Sequence, residues 1–111
     1  TPDGKTLVSA GADQTIKLWD VATGTELRTL TGHTGVVWSL AISANGKNLA
    51  SASHDGTVKL WDLATGQVLR NFTGHKGDVL GVVYSPDGLW LASGGYDGVI
   101  KIWWAAVAAP D

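Results

Sequence analysis

The middle of the chain is a succession of short apolar runs punctuated by glycine turns. Residues 36–43 (VVWSLAIS) are apolar and rich in β-branched side chains, and the turn Ala44-Asn45-Gly46-Lys47 follows them. Residues 48–53 (NLASAS) come next and close on His54-Asp55-Gly56. Residues 57–62 (TVKLWD) alternate, which puts Val58, Leu60 and Asp62 on one face of a strand and Lys59 and Trp61 on the other. The turn Ala64-Thr65-Gly66 leads into residues 67–73 (QVLRNFT). Asn-Gly, Asp-Gly and Thr-Gly suit tight hairpins, because glycine takes a positive φ without steric cost. No helical period competes with this pattern. An all-β fold is expected, its unit an antiparallel meander of four strands.

The unit recurs. Trp19, Trp61 and Trp103 stand 42 residues apart, as do Asp13, Asp55 and Asp97, Ser9, Ser51 and Ser93, and Gly4, Gly46 and Gly88. Gly32-His33 returns as Gly74-His75. A fixed period of this length marks a repeat architecture, in which each unit buries its faces against its neighbours.

The motifs at that spacing are Gly-His, Ser-Pro-Asp-Gly at Ser85 to Gly88, Leu-Ala-Ser, and Asp-Gly-Thr-Val-Lys-Leu-Trp-Asp. With the Trp-Asp pairs Trp19-Asp20 and Trp61-Asp62, the chain resembles the WD-repeat family from residue 1 to about residue 103. It departs from the pattern at Trp104, where Asp is expected, and in the tail AAVAAPD. The resemblance implies a β-propeller whose blades are four-stranded meanders. Residues 1–31 would be a partial blade lacking its first strand, and residues 32–73 a complete repeat. Residues 74–104 would be a third repeat lacking a normal last strand, and residues 105–111 a divergent tail, a poor substitute for that strand.

The resemblance also assigns roles. In such blades Asp accepts from His, His contacts Ser, and Ser contacts the Trp indole, pinning an inter-blade loop to the strands. Carried over, the sets are His33, Ser51, Asp55 and Trp61, then His75, Ser93, Asp97 and Trp103. The first repeat supplies only Ser9, Asp13 and Trp19. Ser, His and Asp also make up hydrolase triads, but here they occur once per repeat, and no G-x-S-x-G segment builds a nucleophile elbow. A structural reading is therefore preferred, and no catalytic residue is expected. Partners would meet the face of the Gly-His loops, at Val36, Trp38 and His54, at Asp78, Leu80 and Tyr96, and at Ala12. Trp90, aligned with Thr6 and Asn48, should be partly exposed and, with Trp104, adds aromatic surface to the last repeat.

Composition narrows the rest. Apolar residues make up 44% of the 111 positions and charged residues 16%, the balance of a globular chain. A formal charge of −2 gives no general attraction to nucleic acid or to anionic membrane, and neither is expected as a partner. No stretch approaches the roughly 18 apolar residues that cross a bilayer. There is no signal-peptide pattern, so a cytoplasmic setting is expected. Without cysteine there is no disulfide or thiolate metal site. Two of the three histidines are used structurally, and the Asp-Gly turns lack EF-hand spacing, so no metal or other cofactor is expected. Asn71-Phe72-Thr73 matches a glycosylation acceptor but falls on a strand.

Methionine is absent even at residue 1, which suggests a processed, excised or engineered chain, or part of something longer. Propellers close with about 4 to 8 blades. A chain of two and a half repeats is therefore expected to close only with further blades, or with copies of itself in head-to-tail contact. The expected function is a non-catalytic protein-interaction scaffold. The alternative is an engineered or excised fragment whose main activity is homo-oligomeric self-assembly.

Overall fold

A computed structural model describes residues 1–107. Its ten strands are β1 (Thr6–Ala10), β2 (Ile16–Asp20), β3 (Glu26–Leu30), β4 (Val37–Ile42), β5 (Asn48–Ser53), β6 (Val58–Asp62), β7 (Val68–Phe72), β8 (Val79–Tyr84), β9 (Trp90–Gly95) and β10 (Ile100–Trp104). They form three antiparallel meanders, ordered β1-β2-β3, β4-β5-β6-β7 and β10-β9-β8. The sheets lie side by side as three blades, open rather than closed into a ring. Among the described residues no strand pairs with the outer edge of β10. Residues 105–107 form no strand, and the remainder of the expected substitute strand lies outside the described residues.

The turns follow from local chemistry. At the β4–β5 hairpin Gly46 has φ +73°, and its N–H donates to the Ser43 carbonyl at 2.9 Å. The Asn45 side chain accepts from the Ser43 hydroxyl and the Lys47 N–H, fixing the same turn from outside. One position breaks the glycine rule. Gln14 holds φ +72° where the other repeats have Gly56 and Gly98, a left-handed conformation that costs a residue with a Cβ roughly 1–2 kcal/mol.

The cores lie between blades rather than within them. Ile16, Leu18 and Leu30 of the first blade pack against Val37, Leu49 and Trp61 of the second. Ala50, Ala52 and Val58 of the second pack against Val79, Val82, Leu91 and Ala105 of the third. Among the described residues only the middle blade has both faces covered. Val58, Lys59, Leu60 and Trp61 of β6, which alternate between the two faces of the strand, are all buried. In the third blade the counterparts of Val58 and Leu60, Ile100 and Ile102, are 73% and 63% exposed.

Candidate functional site

In the middle blade the recurring polar residues meet in one chain. Register places Leu49 opposite Trp61 and Ser51 opposite Lys59, all on the face toward the first blade. The Trp61 indole N–H donates to Ser51 Oγ at 2.8 Å, and Ser51 Oγ lies 2.6 Å from His33 Nε2. His33 Nδ1 lies 2.8 Å from Asp55 Oδ2. Asp55 also accepts from the backbone N–H of Thr34 and from the N–H and hydroxyl of Thr57. Because Trp61 can only donate to Ser51, the serine proton goes to His33 Nε2 and the neutral imidazole donates from Nδ1. Burial holds the His33 pKa below its usual value, against the pull of the Asp55 carboxylate. At Asp55 burial pushes upward. Hydrogen bonds from the Thr57 hydroxyl, His33 and the N–H groups of Thr57 and Thr34 outweigh it, leaving the pKa at about 2.

The other two sets are less complete. In the third blade the Trp103 indole donates to Ser93 Oγ at 2.8 Å, and Ser93 Oγ is 2.7 Å from His75 Nε2. The expected bond from His75 to Asp97 is not made. His75 Nδ1 is buried without a partner among the described residues, and Asp97 accepts from the Val99 N–H instead. With its outer face uncovered, this loop lacks the packing that seats Asp55. In the first blade Trp19 donates to Ser9 at 2.9 Å, but Asp13 bonds only to Thr15 and is exposed.

The rim that carries the Gly-His loops has its own geometry. Pairing of β4 with β5 shifts register between Val37 and Ser39, and pairing of β8 with β9 shifts between Val79 and Gly81. The extra residues at these bulges are Trp38 and Leu80, and a bulge re-aims its side chain away from the sheet. Both are exposed, as are His54, Tyr96 and Ala12, whereas Val36 and Asp78 are half-buried. Asp78 joins two repeats: its Oδ2 accepts the Trp38 indole N–H at 2.9 Å, and its Oδ1 lies 2.6 Å from His54 Nδ1. Ala12 lies in the first blade, apart from this cluster. Asp78 as a shared acceptor leaves no trace in sequence, because its partners lie in the preceding repeat.

Other features stand outside both sites. A broad open groove of about 1230 Å³ is lined by Pro2, Asn45, Lys47, Asp62 and Leu69, among others, and by none of the polar-chain residues. Trp90 and Trp104 face each other across β9 and β10, edge to face with centroids 4.7 Å apart, both partly exposed. Asn71 accepts from the buried Lys59 ammonium at 2.7 Å. Among the described residues no group of three or more His, Asp or Glu could hold a metal ion, and no helix is long and apolar enough to cross a membrane. Two residues that sequence reasoning passed over are Arg28 and Arg70, also 42 apart. Each reaches from the outer strand of one blade to carbonyls at the edge of the next.

Comparison with known proteins accords with this geometry. The profile described as "WD domain, G-beta repeat" matches residues 1–20, 24–62 and 66–103. A guanine nucleotide-binding protein G(I)/G(S)/G(T) subunit beta-1 from Homarus americanus is 44% identical over 43 residues, 39% of this chain and 13% of that protein. An F-box protein from Saccharomyces cerevisiae is 57% identical over 35 residues, 32% of this chain and 6% of its own length. F-box/WD repeat-containing protein 7 from Drosophila melanogaster is 53% identical over 36 residues, 32% of this chain and 3% of its own. The chain thus spans a small part of these relatives. Matched over most of its length, and folded into three successive meanders, it belongs to the WD-repeat family.

Proposed function

We propose that the chain is a non-catalytic protein-interaction scaffold that binds through the rim bearing Trp38, Leu80, Tyr96, His54 and Asp78, with Val36 at its margin and Ala12 as the matching position of the first blade. The observation that carries this is the pair of bulges that turn Trp38 and Leu80 outward, together with the carboxylate that holds the Trp38 ring. Trp38 is 52% exposed and Tyr96 80%. Aromatic anchors bury large area on binding with few rotors to freeze, and Asp78 has already fixed one of them.

The polar chain serves structure in this reading. Ser51, His33 and Asp55 have the order of a hydrolase triad, but Ser51 is fully buried and its oxygen is covered by the Trp61 indole. No substrate carbonyl can reach it. WD repeats mediate protein–protein contacts, and relatives with such names as guanine nucleotide-binding protein subunit beta-1 and F-box protein are consistent with a binding role here. Closure takes further blades or chains.

A photo-crosslinking residue at Leu80 tests the rim in cells that express the protein. Crosslinks should form, and Trp38→Ala and Tyr96→Ala should abolish them while leaving the melting temperature within about 2 °C. Crosslinks that persist in both variants, or that form only from Asn45 and Lys47 in the opposite groove, refute the assignment. A second reading, self-assembly of copies, is favoured by the apolar flank of the third blade, where Val83, Ile100 and Ile102 are exposed. A discrete small oligomer in native mass spectrometry is its signature.

A further inference from the structure

The rim that carries the Gly-His loops holds an excess of negative charge. Its loops, residues 11–15, 31–36, 54–57, 73–78 and 96–99, contain Asp13, Asp55, Asp78 and Asp97 against a single cation, Lys76. The loops of the opposite edge, residues 1–5, 21–25, 43–47, 63–67 and 85–89, are balanced, with Asp3 and Asp87 against Lys5 and Lys47. Among the described residues no lysine or arginine pairs with any of the four rim carboxylates. Carboxylates gathered around exposed aromatic side chains make a surface that draws cations and repels anions.

The four are not equally available. Asp55 is engaged by His33, Thr34 and Thr57, and Asp78 by Trp38 and His54. Asp97 is exposed and uses only Oδ1, which accepts the Val99 N–H at 3.1 Å; its Oδ2 makes no hydrogen bond among the described residues. A local difference adds to the uncovered outer face in freeing it. Ser53 Oγ accepts the Asp55 N–H at 3.1 Å and donates to the Gly35 carbonyl at 3.1 Å, which ties the middle-blade turn to its entering loop. The residue 42 positions on is Gly95. His75 Nδ1 and Asp97 Oδ1 lie 2.7 and 2.8 Å from where a Cβ would stand on it, in room that the serine side chain takes in the middle blade. The turn at Asp97 therefore lacks the tie that holds Asp55 inward.

Asp97 also stands beside the anchors. Tyr96 precedes it in the turn and donates its backbone N–H to the Asp78 carbonyl at 2.8 Å. Asp78 holds Trp38 and His54 through its side chain, and Leu80 bulges outward two residues further on. A Cβ on Gly56 would stand 3.3 Å from the Gly77 carbonyl oxygen, so the Asp55 turn packs against the loop that carries Asp78. One free carboxylate, two exposed aromatic rings and an exposed leucine thus share a short arc of the rim.

We infer that the rim takes a segment of a protein partner in which a lysine or arginine stands close to a bulky apolar residue. The apolar side chain lies against Trp38 and Leu80, and the cation pairs with Asp97 Oδ2 beside Tyr96. An acidic or phosphorylated segment is disfavoured by the same charge. This partner chemistry rests on the rim being the binding surface, and it goes beyond that reading by naming what the surface selects.

A library of random peptides displayed on phage, selected on the immobilised full chain, tests it. Recovered peptides should carry Lys or Arg near Leu, Phe or Trp at least about twofold more often than the unselected library. The strongest binder, synthesised and titrated by fluorescence anisotropy, should lose about threefold in affinity when Asp97 becomes Asn or when its own cation becomes glutamine. It should lose little more when both are changed. Asp97→Asn keeps an acceptor for the Val99 N–H, so that variant keeps its fold. Recovered peptides rich in Asp or Glu, or with no excess of cations, overturn the inference, as does an affinity that Asp97→Asn leaves unchanged. In those cases the rim reading still stands if Trp38→Ala abolishes binding. Peptides that bind Trp38→Ala as tightly as the native chain, or a selection that recovers none, overturn the rim reading and the inference together.

Discussion

Replacing Asp55 by alanine probes the polar chain most directly, because three nominally equivalent aspartates are placed in three different surroundings. At Asp55 the carboxylate accepts from His33 Nδ1 at 2.8 Å, Thr34 N at 3.1 Å, Thr57 N at 2.9 Å and the Thr57 hydroxyl at 2.6 Å. Alanine leaves the His33 N–H without a partner while the ring side chain is 1% exposed. A stranded buried donor costs about 1–3 kcal/mol, and the turn bonds from Thr34 and Thr57 contribute roughly another 1 kcal/mol each where they are not replaced by water. A total of about 3 kcal/mol follows for Asp55→Ala. At Asp97 the only bond lost is from the Val99 N–H, and the His75 Nδ1 is already without a partner, so about 1 kcal/mol or less is at stake. Asp13 is exposed and bonds only to the N–H and hydroxyl of Thr15 among the described residues, so it too should matter far less than Asp55.

Urea unfolding followed by tryptophan fluorescence separates these cases, since a shift in midpoint at constant slope reports stability alone. With a slope of about 1–3 kcal/mol/M, Asp55→Ala should lower the midpoint by about 1–3 M. Should that variant fail to fold, Asp55→Asn, which can still accept from His33, provides a milder step in the same direction. Equal shifts for Asp55, Asp97 and Asp13, or an Asp55→Ala shift worth under about 0.5 kcal/mol, would refute the assignment of His33 and Asp55 as a buried bonded pair.

Acidification should destabilise the fold in two stages with the same sign, measured as urea midpoint against pH. The lowered pKa of His33 makes the unfolded chain bind more protons below about pH 6.5, so stability falls from there downward; the lowered pKa of Asp55 adds a further loss between about pH 4 and pH 2, and Asp55→Asn should remove only that second stage. Gln14→Gly should raise stability by about 1 kcal/mol in the same assay, because it relieves a left-handed residue. Gly24→Ala should cost about 1 kcal/mol for its positive φ alone, whereas Gly66→Ala should cost at least about twice that by displacing Arg28. The difference should shrink in an Arg28→Ala background, where only the Leu30 side chain still crowds the new methyl, as a double-mutant cycle would show.

Much of the fold is legible in the chain because each hairpin is decided locally. Gly46 and Asn45 specify their turn whatever surrounds them, and the 42-residue step of Trp, Ser and Asp fixes where the strands recur. The polar chain is legible for the same reason, since Ser51 and Trp61 are brought together by hairpin register. What sequence could not give depends on neighbours. Nothing in TVKLWD says that both of its faces will be covered, and nothing in VIKIWW says that one of its faces will be bare. The family resemblance places Trp38 and Leu80 on the partner face, but strand alternation does not reveal the bulges that turn them outward. The missing bond between His75 and Asp97 has the same origin: the residues are right and the seating is not.

These contrasts have one physical source. In a stacked-repeat architecture the stability of a unit is its own contribution plus the interfaces it makes with its neighbours. The middle blade, with two interfaces, closes its polar chain from indole to carboxylate and buries a lysine on the way. The third blade, with one, closes the chain as far as the imidazole. In the first blade, among the described residues, the set is reduced to the bond from Trp19 to Ser9. Completeness of the polar chain therefore reports how well each blade is covered.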